Sequence, residues 1–166
     1  ALTWTYLQPV EFMTGALNYA DSIRTEGVVR QPFGNRQTAI VHEADIAAVG
    51  AAVLTSVSGD HAGKTYPITG GEVLSPRKMV QIIGSVIGKD IQFIELTEAQ
   101  AREQWKSEGL PSPVIEFFVR VYGNTPEVGT MIAPTVENLT GQPPRSFAYW
   151  VAEYIDQFRA NAPTPR

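Results

Sequence analysis

An apolar segment at the beginning of the chain, Leu2 to Pro9, puts the strongest constraint on the fold. Its β-branched and aromatic residues predict a strand, and its closing proline, which cannot donate a backbone hydrogen bond, predicts that the strand ends there. A strand that is apolar on both faces is typical of the centre of a parallel sheet, whose strands are joined by crossover helices. No such element precedes Leu2. The sequence therefore predicts a buried strand in a chain that begins within a domain.

Strand-like and helix-like patterns alternate along the rest of the chain. Short runs of β-branched and aromatic residues predict strands at 28–31, 37–41, 64–69 and 91–96. Apolar residues at helical spacing predict helices, the longer of which cover residues 11–24, 46–54, 76–87, 111–123 and 146–158. Alternation of this kind is typical of an α/β fold.

Turn and cap residues add local predictions. Residues 32–35, with the sequence Pro-Phe-Gly-Asn, have the chemistry of a turn, so the strands on either side are predicted to form a hairpin-like excursion. Asp45 precedes an alanine-rich run, and we predict that it caps the helix that follows. Further helix N-caps are predicted at Ser75 and at Thr97, the latter with Gln100 at the spacing of a capping box.

Composition excludes several classes of function. The chain has 13 Lys and Arg residues against 17 Asp and Glu residues, and its net charge of -4 predicts no affinity for nucleic acid or for an anionic membrane. It has no cysteine and only two well-separated histidines, so neither a disulfide framework nor a metal site is predicted. No apolar run is long enough to span a bilayer. These features favour a cytoplasmic protein.

Motifs for catalysis are weak or absent. No glycine-rich phosphate loop of the G-x-G-x-x-G type occurs, and Gly70-Gly71 lacks the third glycine of such a loop. None of the six tyrosines is followed by lysine four residues later, which excludes a tyrosine-lysine proton donor. Ser75 and Lys78 have the S-x-x-K spacing, for which a capped helix start is the favoured interpretation. His42 remains a candidate for proton transfer, although a histidine that closes a strand is the simpler interpretation.

A set of aromatic and methionine residues gives the better functional signal. Two of them follow the first strand, and the others lie on later helices: Phe12, Met13, Trp105, Phe117, Phe118 and Tyr122. Ligand sites in open α/β sheets lie beyond the carboxyl ends of the strands, which is where the residues after Pro9 belong. We therefore predict that this set lines a pocket for a small substrate, with core packing as the alternative for each member.

The order of several short segments resembles one family. The sequence WTYLQPVEFM at residues 4–13 resembles the W-T-x-L-R-P-x-x-F-M stretch of NmrA-like, atypical short-chain dehydrogenase/reductase proteins. The similarity continues in order over nearly the whole chain, through residues 27–30, 45–49, 66–70 with 74–75, and 139–147. Gln8 stands where the family usually has arginine.

The resemblance implies a carboxyl-terminal half of such a protein. It implies the carboxyl-terminal part of a Rossmann-type parallel sheet plus a small α/β substrate-binding subdomain, with the amino-terminal Rossmann half and its glycine-rich loop missing. We expect a single unit, in which residues 1–75 hold the remainder of the sheet with inserted strands and residues 76–166 form a mainly helical substrate side. The family also implies NAD or NADP, bordered by Pro9, Val10, Glu11 and Phe12 and not bound by this chain alone.

Three functions remain open at this point. The first is the substrate-side half of an NAD(P)-dependent oxidoreductase that acts on a small apolar or aromatic compound. The second is a non-catalytic NAD(P)-sensing or ligand-binding module, because the family includes such members. The third is a cofactor-free enzyme that uses His42. An exposed strand edge would promote association, so we also expect a homodimer or a complementing amino-terminal half as partner.

Overall fold

The computed structural model describes residues 3–159, and its strands form two parallel pairs. The first pair joins β1 (Tyr6–Pro9) to β3 (Thr65–Ile68), with Tyr6 opposite Thr65. The second joins β2 (Val28–Pro32) to β4 (Gln92–Leu96), with Val28 opposite Gln92. Parallel pairing needs crossover connections, and helices supply them in both cases. The predicted α/β class is confirmed.

Eight α-helices cover most of the remaining described chain. They are α1 (Ala20–Thr25), α2 (Glu43–Thr55), α3 (Pro76–Ile87), α4 (Glu98–Ser107), α5 (Ser112–Gly123), α6 (Thr135–Thr140), α7 (Phe147–Glu153) and α8 (Ile155–Phe158). Two 3-10 segments, Met13–Tyr19 and Glu127–Gly129, add to them. The predicted caps of α3 and α4 are confirmed: the Ser75 hydroxyl accepts from the Lys78 amide, and Thr97 and Gln100 form a capping box.

The hairpin predicted around residues 32–35 is wrong. β2 pairs with β4, and residues 38–41 form only isolated bridges, such as that between Thr38 and Leu74. The backbone groups of this segment are satisfied one at a time by separate parts of the chain, since Ala39 donates to the Gly129 carbonyl and accepts from the Gly70 amide. A short apolar run in the sequence is therefore not sufficient to distinguish a segment such as residues 38–41 from a regular strand.

The predicted cap of α2 is also wrong. His42 is the N-cap, because its Nδ1 accepts a hydrogen bond from the Ala44 amide at 3.1 Å. Asp45 lies in the first turn of the helix and is fully buried, and its carboxylate accepts from the backbone amide of Arg145 at 2.8 Å and from the Arg145 guanidinium. The acidic residue therefore holds the segment that leads to α7 against α2.

The first strand is shorter and less covered than its sequence indicates. It begins at Tyr6, and Leu2 lies outside the described residues. The side chains of Trp4 and Tyr6 are exposed and lie in contact, with ring centroids 4.6 Å apart. The prediction of a strand buried on both faces is thus wrong for residues 3–9. Alternating exposure marks a strand with one covered face.

The main core lies between α3, the 3-10 segment Met13–Tyr19 and the last two helices. Its largest side chains have no exposed surface and include Met13, Ile83, Phe147, Trp150 and Phe158. Phe147 and Trp150 stack with their planes 9° apart. The core thus joins the beginning of the chain to its last helices, which fixes the position of the residues that follow β1.

Among residues 3–159, no helix is both long and apolar enough to cross a bilayer.

Candidate functional site

Two neighbouring clefts open at the carboxyl ends of the strands. The first, of about 440 Å³, adjoins Pro32 at the end of β2, and we call it the aromatic cleft. The second, of about 330 Å³, adjoins Gln8 to Glu11 at the end of β1, and we call it the strand-end cleft. Both volumes fall in the usual range of ligand sites, and the location is the one at which open α/β sheets bind ligands.

A third cleft has a similar volume but a less suitable place. It measures about 450 Å³ and lies at the amino end of β1, between Thr5, Leu7 and the residues Val53 and Leu54 of α2. Its lining contains no tryptophan, phenylalanine or tyrosine. Because ligands of open α/β sheets bind at the opposite ends of the strands, we place the candidate site in the first two clefts.

The aromatic cleft takes its walls from three parts of the chain. Tyr19 ends the 3-10 segment, Trp105 comes from α4, and Phe118 and Tyr122 lie four residues apart on one face of α5. The Trp105 and Phe118 rings meet edge to face with centroids 5.5 Å apart, and Phe118 and Tyr122 are 5.2 Å apart. Aromatic rings in such geometries attract one another and offer flat apolar surface to a ligand.

An ion pair forms the wall that the two clefts share. The two terminal guanidinium nitrogens of Arg36 donate to the two carboxylate oxygens of Glu11, each at 2.8 Å. The guanidinium lies 4.4 Å from the centre of the Tyr122 ring, close enough for a cation–π contact. A bidentate pair that also stacks on a ring is held in one geometry, so Glu11 and Arg36 form a fixed polar edge between the clefts.

The turn after β2 positions Arg36. Its amide bonds to the Phe33 carbonyl at 2.9 Å, and Phe33 takes a left-handed conformation with φ of 54°. Gly34 packs so closely that an added Cβ would lie 2.6 Å from the Phe93 ring. A larger residue at this point of the turn would therefore displace the Phe93 ring. The sequence indicated the turn, but nothing in it indicated a functional role for Arg36, the charged residue that follows the turn.

Tyr19 is the most buried titratable side chain of the aromatic cleft. It is 9% exposed. Burial raises the pKa of Tyr19 to about 12, Arg36 opposes this shift, and Glu11 and Tyr122 add to it. Burial likewise raises the pKa of Tyr122. Both phenols therefore keep their protons at neutral pH and can act as hydrogen-bond donors.

The raised pKa of Tyr19 predicts a loss of stability at high pH. From its ordinary value of 10.0 up to about 12, the unfolded chain releases a proton that the folded chain retains. The free energy of unfolding should thus fall with rising pH in this window, by about 1.4 kcal/mol per pH unit from this residue, and be unaffected below it. Urea unfolding at about pH 9 and about pH 11 measures the effect, and Tyr19→Phe should remove it. Parallel pH profiles of the two proteins would contradict the prediction.

The structure places the residues predicted from the sequence in different surroundings. Glu11 borders both clefts, Pro9 and Val10 line the strand-end cleft, and Trp105, Phe118 and Tyr122 line the aromatic cleft. The other three predicted residues lie outside the lining of both clefts: Phe12 is exposed, Met13 is fully buried in the core, and Phe117 is 50% exposed on α5.

His42 is held on both sides of its ring. Its Nδ1 caps α2, and its Nε2 lies 2.8 Å from the Glu153 carboxylate. Because Nδ1 accepts, Nε2 carries the proton and donates to Glu153. Neither nitrogen is left for a ligand. This geometry gives His42 a positioning role between α2 and α7 and does not favour the cofactor-free enzyme.

The residues present fit only part of a dinucleotide site. An added Cβ at Gly70 would lie 2.0 Å from the Ile40 carbonyl oxygen, so this glycine is needed for close packing of two backbones. It does not form a phosphate cradle. The strand-end cleft does fit a small polar group, because it is lined by Thr125, whose buried hydroxyl has no hydrogen-bond partner among the described residues. The nicotinamide end of NAD(P) is the part that this cleft could hold.

Comparison with known proteins gives a consistent group of relatives. A reductase of (4-alkanoyl-5-oxo-2,5-dihydrofuran-3-yl)methyl phosphate from Streptomyces griseus is 35% identical over 156 residues, which are 93% of this chain and 54% of the relative. An NAD(P)H azoreductase from Xenophilus azovorans is 29% identical over 160 residues, which are 96% of this chain and 55% of the relative. No family model matches the chain.

Solved structures share the fold. An NADPH-dependent quinone oxidoreductase from Escherichia coli, in complex with NADPH, superimposes with a TM-score of 0.77 at 23% identity and covers 93% of this chain and 54% of its own. The negative transcriptional regulator NmrA, in complex with NAD, gives a TM-score of 0.63 at 13% identity over 95% of this chain and 54% of its own.

The chain spans about half the length of the curated relatives that it matches, and it corresponds to their carboxyl-terminal half. The two relatives described are named as reductases, and the fold of the quinone oxidoreductase extends across nearly all of this chain. The resemblance first seen in the segment at residues 4–13 is therefore confirmed. The chain is thus similar in sequence to the carboxyl-terminal half of a reductase, and it shares its fold with the corresponding half of NmrA-like proteins of the atypical short-chain dehydrogenase/reductase type.

Proposed function

We propose that this chain is the substrate-side half of an NAD(P)H-dependent reductase of small, flat, aromatic or conjugated compounds. The observation that carries the proposal is the aromatic cleft, in which Trp105, Phe118 and Tyr122 form one wall at the carboxyl end of β2. Flat apolar walls with a few fixed polar groups are typical of sites for such ligands. The names of the azoreductase and the quinone oxidoreductase support this class of substrate.

The chain's own residues would bind and orient the substrate. The rings of α4 and α5 exclude water from one face of the ligand, and the Glu11–Arg36 pair fixes the edge nearest the strand-end cleft. NAD(P)H supplies the hydride when bound. Pro9, Val10 and the Thr125 hydroxyl line the cleft beside that pair, so the nicotinamide end would lie next to the substrate. Positioning of this kind is what a protein contributes to hydride transfer.

Two neighbouring phenylalanines of α5 provide a test. Phe118 lines the aromatic cleft and Phe117 does not, although the two residues are adjacent in α5. We expect Phe118→Ala to weaken the binding of naphthoquinone about tenfold, because it removes one apolar wall. Phe117→Ala should bind as the wild type does. Calorimetric titration of the purified chain measures both, with circular dichroism to verify that each variant is folded.

The same titration with NADPH separates the alternatives. We expect no measurable affinity of this chain for NADPH, because the phosphates have no matching glycine-rich loop in its sequence. Binding of NADPH without binding of any aromatic compound would favour a cofactor-sensing module instead. Equal losses from Phe117→Ala and Phe118→Ala would contradict the proposed location of the site.

A further inference from the structure

The charged side chains that line the aromatic cleft are Glu11, Arg36 and Glu108. The first two neutralise one another through two hydrogen bonds of 2.8 Å. The remaining carboxylate, Glu108, accepts a hydrogen bond from the uncharged Gln104 side chain at 2.9 Å. With two carboxylates against one guanidinium, the lining of the cleft is negatively charged.

The carboxyl end of α4 adds to this negative charge. Glu108 is the C-cap of α4, and Gln104 and Trp105 from the end of the same helix also line the cleft. Carbonyl groups at the carboxyl end of a helix carry a partial negative charge. Lys106 lies in the same turn but outside the lining of the cleft. The wall that α4 contributes therefore favours a positively charged ligand.

The aromatic rings of the cleft act in the same direction. The Arg36 guanidinium lies 4.4 Å from the centre of the Tyr122 ring, so this ring already holds a cation of the protein itself. Trp105 and Phe118 line the same cleft. The face of an aromatic ring has a negative electrostatic potential and attracts cations, most strongly in tryptophan. A flat cation would thus be held by the rings and by Glu108 together.

The start of α3, although it adjoins the cleft, is not arranged to bind an anion there. Helix starts usually favour anions through their free backbone amides. Pro76, the residue of α3 that lines the cleft, has no backbone N–H. The next two amides are used within the fold, since Arg77 donates to the Gly34 carbonyl and Lys78 donates to the Ser75 hydroxyl, each at 3.2 Å. The first three residues of α3 therefore leave no amide for an anionic ligand.

We propose that the aromatic cleft selects conjugated cations, such as N-alkylated aromatic rings and iminium compounds, over anions of the same shape, and that Glu108 sets this preference. The inference rests on the proposed function, because it assigns the charge of the substrate in the same cleft. Glu108 is thus a specificity-determining residue, which acts through its charge at the cleft wall.

Reduction of a cation suits the groups that line this cleft. The electron-poor carbon of the ligand gains a hydride from reduced nicotinamide, a C–H bond forms, the electron pair neutralises the ligand, and the nicotinamide is left oxidised. No proton is transferred in this step. The raised pKa values of Tyr19 and Tyr122, caused chiefly by burial, make these phenols poor proton donors in the sense of acids, and the reduction of a cation does not require one.

Two charged ligands of nearly the same shape test the inference. N-methylquinolinium is a fused-ring cation, and 1-naphthoate is a fused-ring anion. We expect calorimetric titration to show that the purified chain binds the cation about tenfold more tightly. Glu108→Gln, which keeps an acceptor oxygen for Gln104, should weaken binding of the cation about threefold and leave that of uncharged naphthoquinone unchanged. Glu108→Lys should favour the anion.

A second glutamate of α4 provides the matched control. Glu103 is exposed on the same helix and lies outside the lining of the cleft. Glu103→Gln should therefore leave the affinities for all three compounds unchanged. Since attraction between exposed charges is screened by salt, raising the sodium chloride concentration from about 0.05 M to about 0.5 M should narrow the preference of the wild type without any substitution.

Each outcome has a distinct meaning. Equal binding of the cation and the anion by the wild type would overturn this inference, and so would a preference that neither salt nor the two Glu108 substitutions change. Equal effects of Glu103→Gln and Glu108→Gln would also overturn it, because the charge of the whole chain would then be the cause. In these cases binding of naphthoquinone leaves the proposed function standing. Failure of the wild type to bind any of the three compounds would instead count against the proposed function itself.

Discussion

Trp150→Ala is expected to lower the free energy of unfolding by about 3–5 kcal/mol, the usual cost of deleting a buried indole. The Trp150 side chain is 0% exposed and packs against Phe147, Tyr154 and Phe158 in the main core. Its indole N–H also donates to the Glu43 carboxylate at 3.2 Å. The substitution leaves a cavity and an unused acceptor, and chemical denaturation at neutral pH measures the loss.

The effect of Trp150→Ala should also reach the candidate site, because Glu43 connects the core to the residues after β1. One oxygen of this carboxylate accepts from Trp150, and the other accepts from the Thr14 amide at 2.6 Å. Trp150→Phe, which keeps most of the ring and removes the donor, should cost about 1–2 kcal/mol. Tyr149 is half exposed on the same helix, so Tyr149→Ala is the matched control and should cost less than about 1 kcal/mol. Similar losses from Trp150→Ala and Tyr149→Ala would contradict this packing.

Asp45→Asn is expected to be the second largest loss, about 3 kcal/mol. The Asp45 side chain is 2% exposed, and its two oxygens accept from the Arg145 backbone amide and from the Arg145 guanidinium. An asparagine has only one acceptor oxygen, so its NH₂ group would face one of these two donors. Urea unfolding of the purified variant measures the difference in stability.

A second aspartate of the chain provides the control. Asp21 also pairs with an arginine, Arg24, but its side chain is 87% exposed. Exposed ion pairs contribute little, so Asp21→Asn should change stability by less than about 1 kcal/mol. If the two substitutions cost the same, burial of the Asp45 pair would not be the cause of its effect. The comparison therefore separates an exposed ion pair from a buried carboxylate that also accepts a hydrogen bond from a backbone amide.

Local signals in the sequence were sufficient for much of the α/β layout. Ser75 and Thr97 start their helices as predicted, because a hydroxyl at an N-cap satisfies a backbone amide that the helix itself leaves free. Gly27, two residues after the end of α1, takes φ of 69°, a conformation that glycine adopts without strain. These features depend on residues close together in the chain, so the sequence alone can indicate them.

Features that depend on distant residues were not predictable in this way. Asp45 was expected to cap α2, but His42 is the cap, and Asp45 instead accepts hydrogen bonds from Arg145, 100 residues away. Residues 37–41 have the composition of a strand, yet their backbone partners come from three separate parts of the chain. The pattern of apolar residues within a short stretch of sequence does not reveal such distant partners.

The candidate site, too, could be predicted from the sequence only in part. Trp105, Phe118 and Tyr122 were predicted from their chemistry and lie together in the aromatic cleft, whereas Met13 belongs to the core. Arg36 and Tyr19 were missed, because nothing in the local sequence shows that a residue after a turn and a residue at the end of a 3-10 segment will meet. Arg36 and Tyr19 come together only because residues 37–41 pack against the residues after β1.

The most direct test of the aromatic cleft uses the three tryptophans of the chain. Trp105 lines the cleft, Trp150 is buried in the core, and Trp4 is exposed beside Tyr6. Each indole N–H gives its own signal in a proton–nitrogen correlation spectrum of nitrogen-15-labelled protein. During titration with naphthoquinone, we expect the Trp105 signal to shift and saturate while the signals of Trp4 and Trp150 stay in place. A saturable shift of Trp4 with no change at Trp105 would contradict the proposed site.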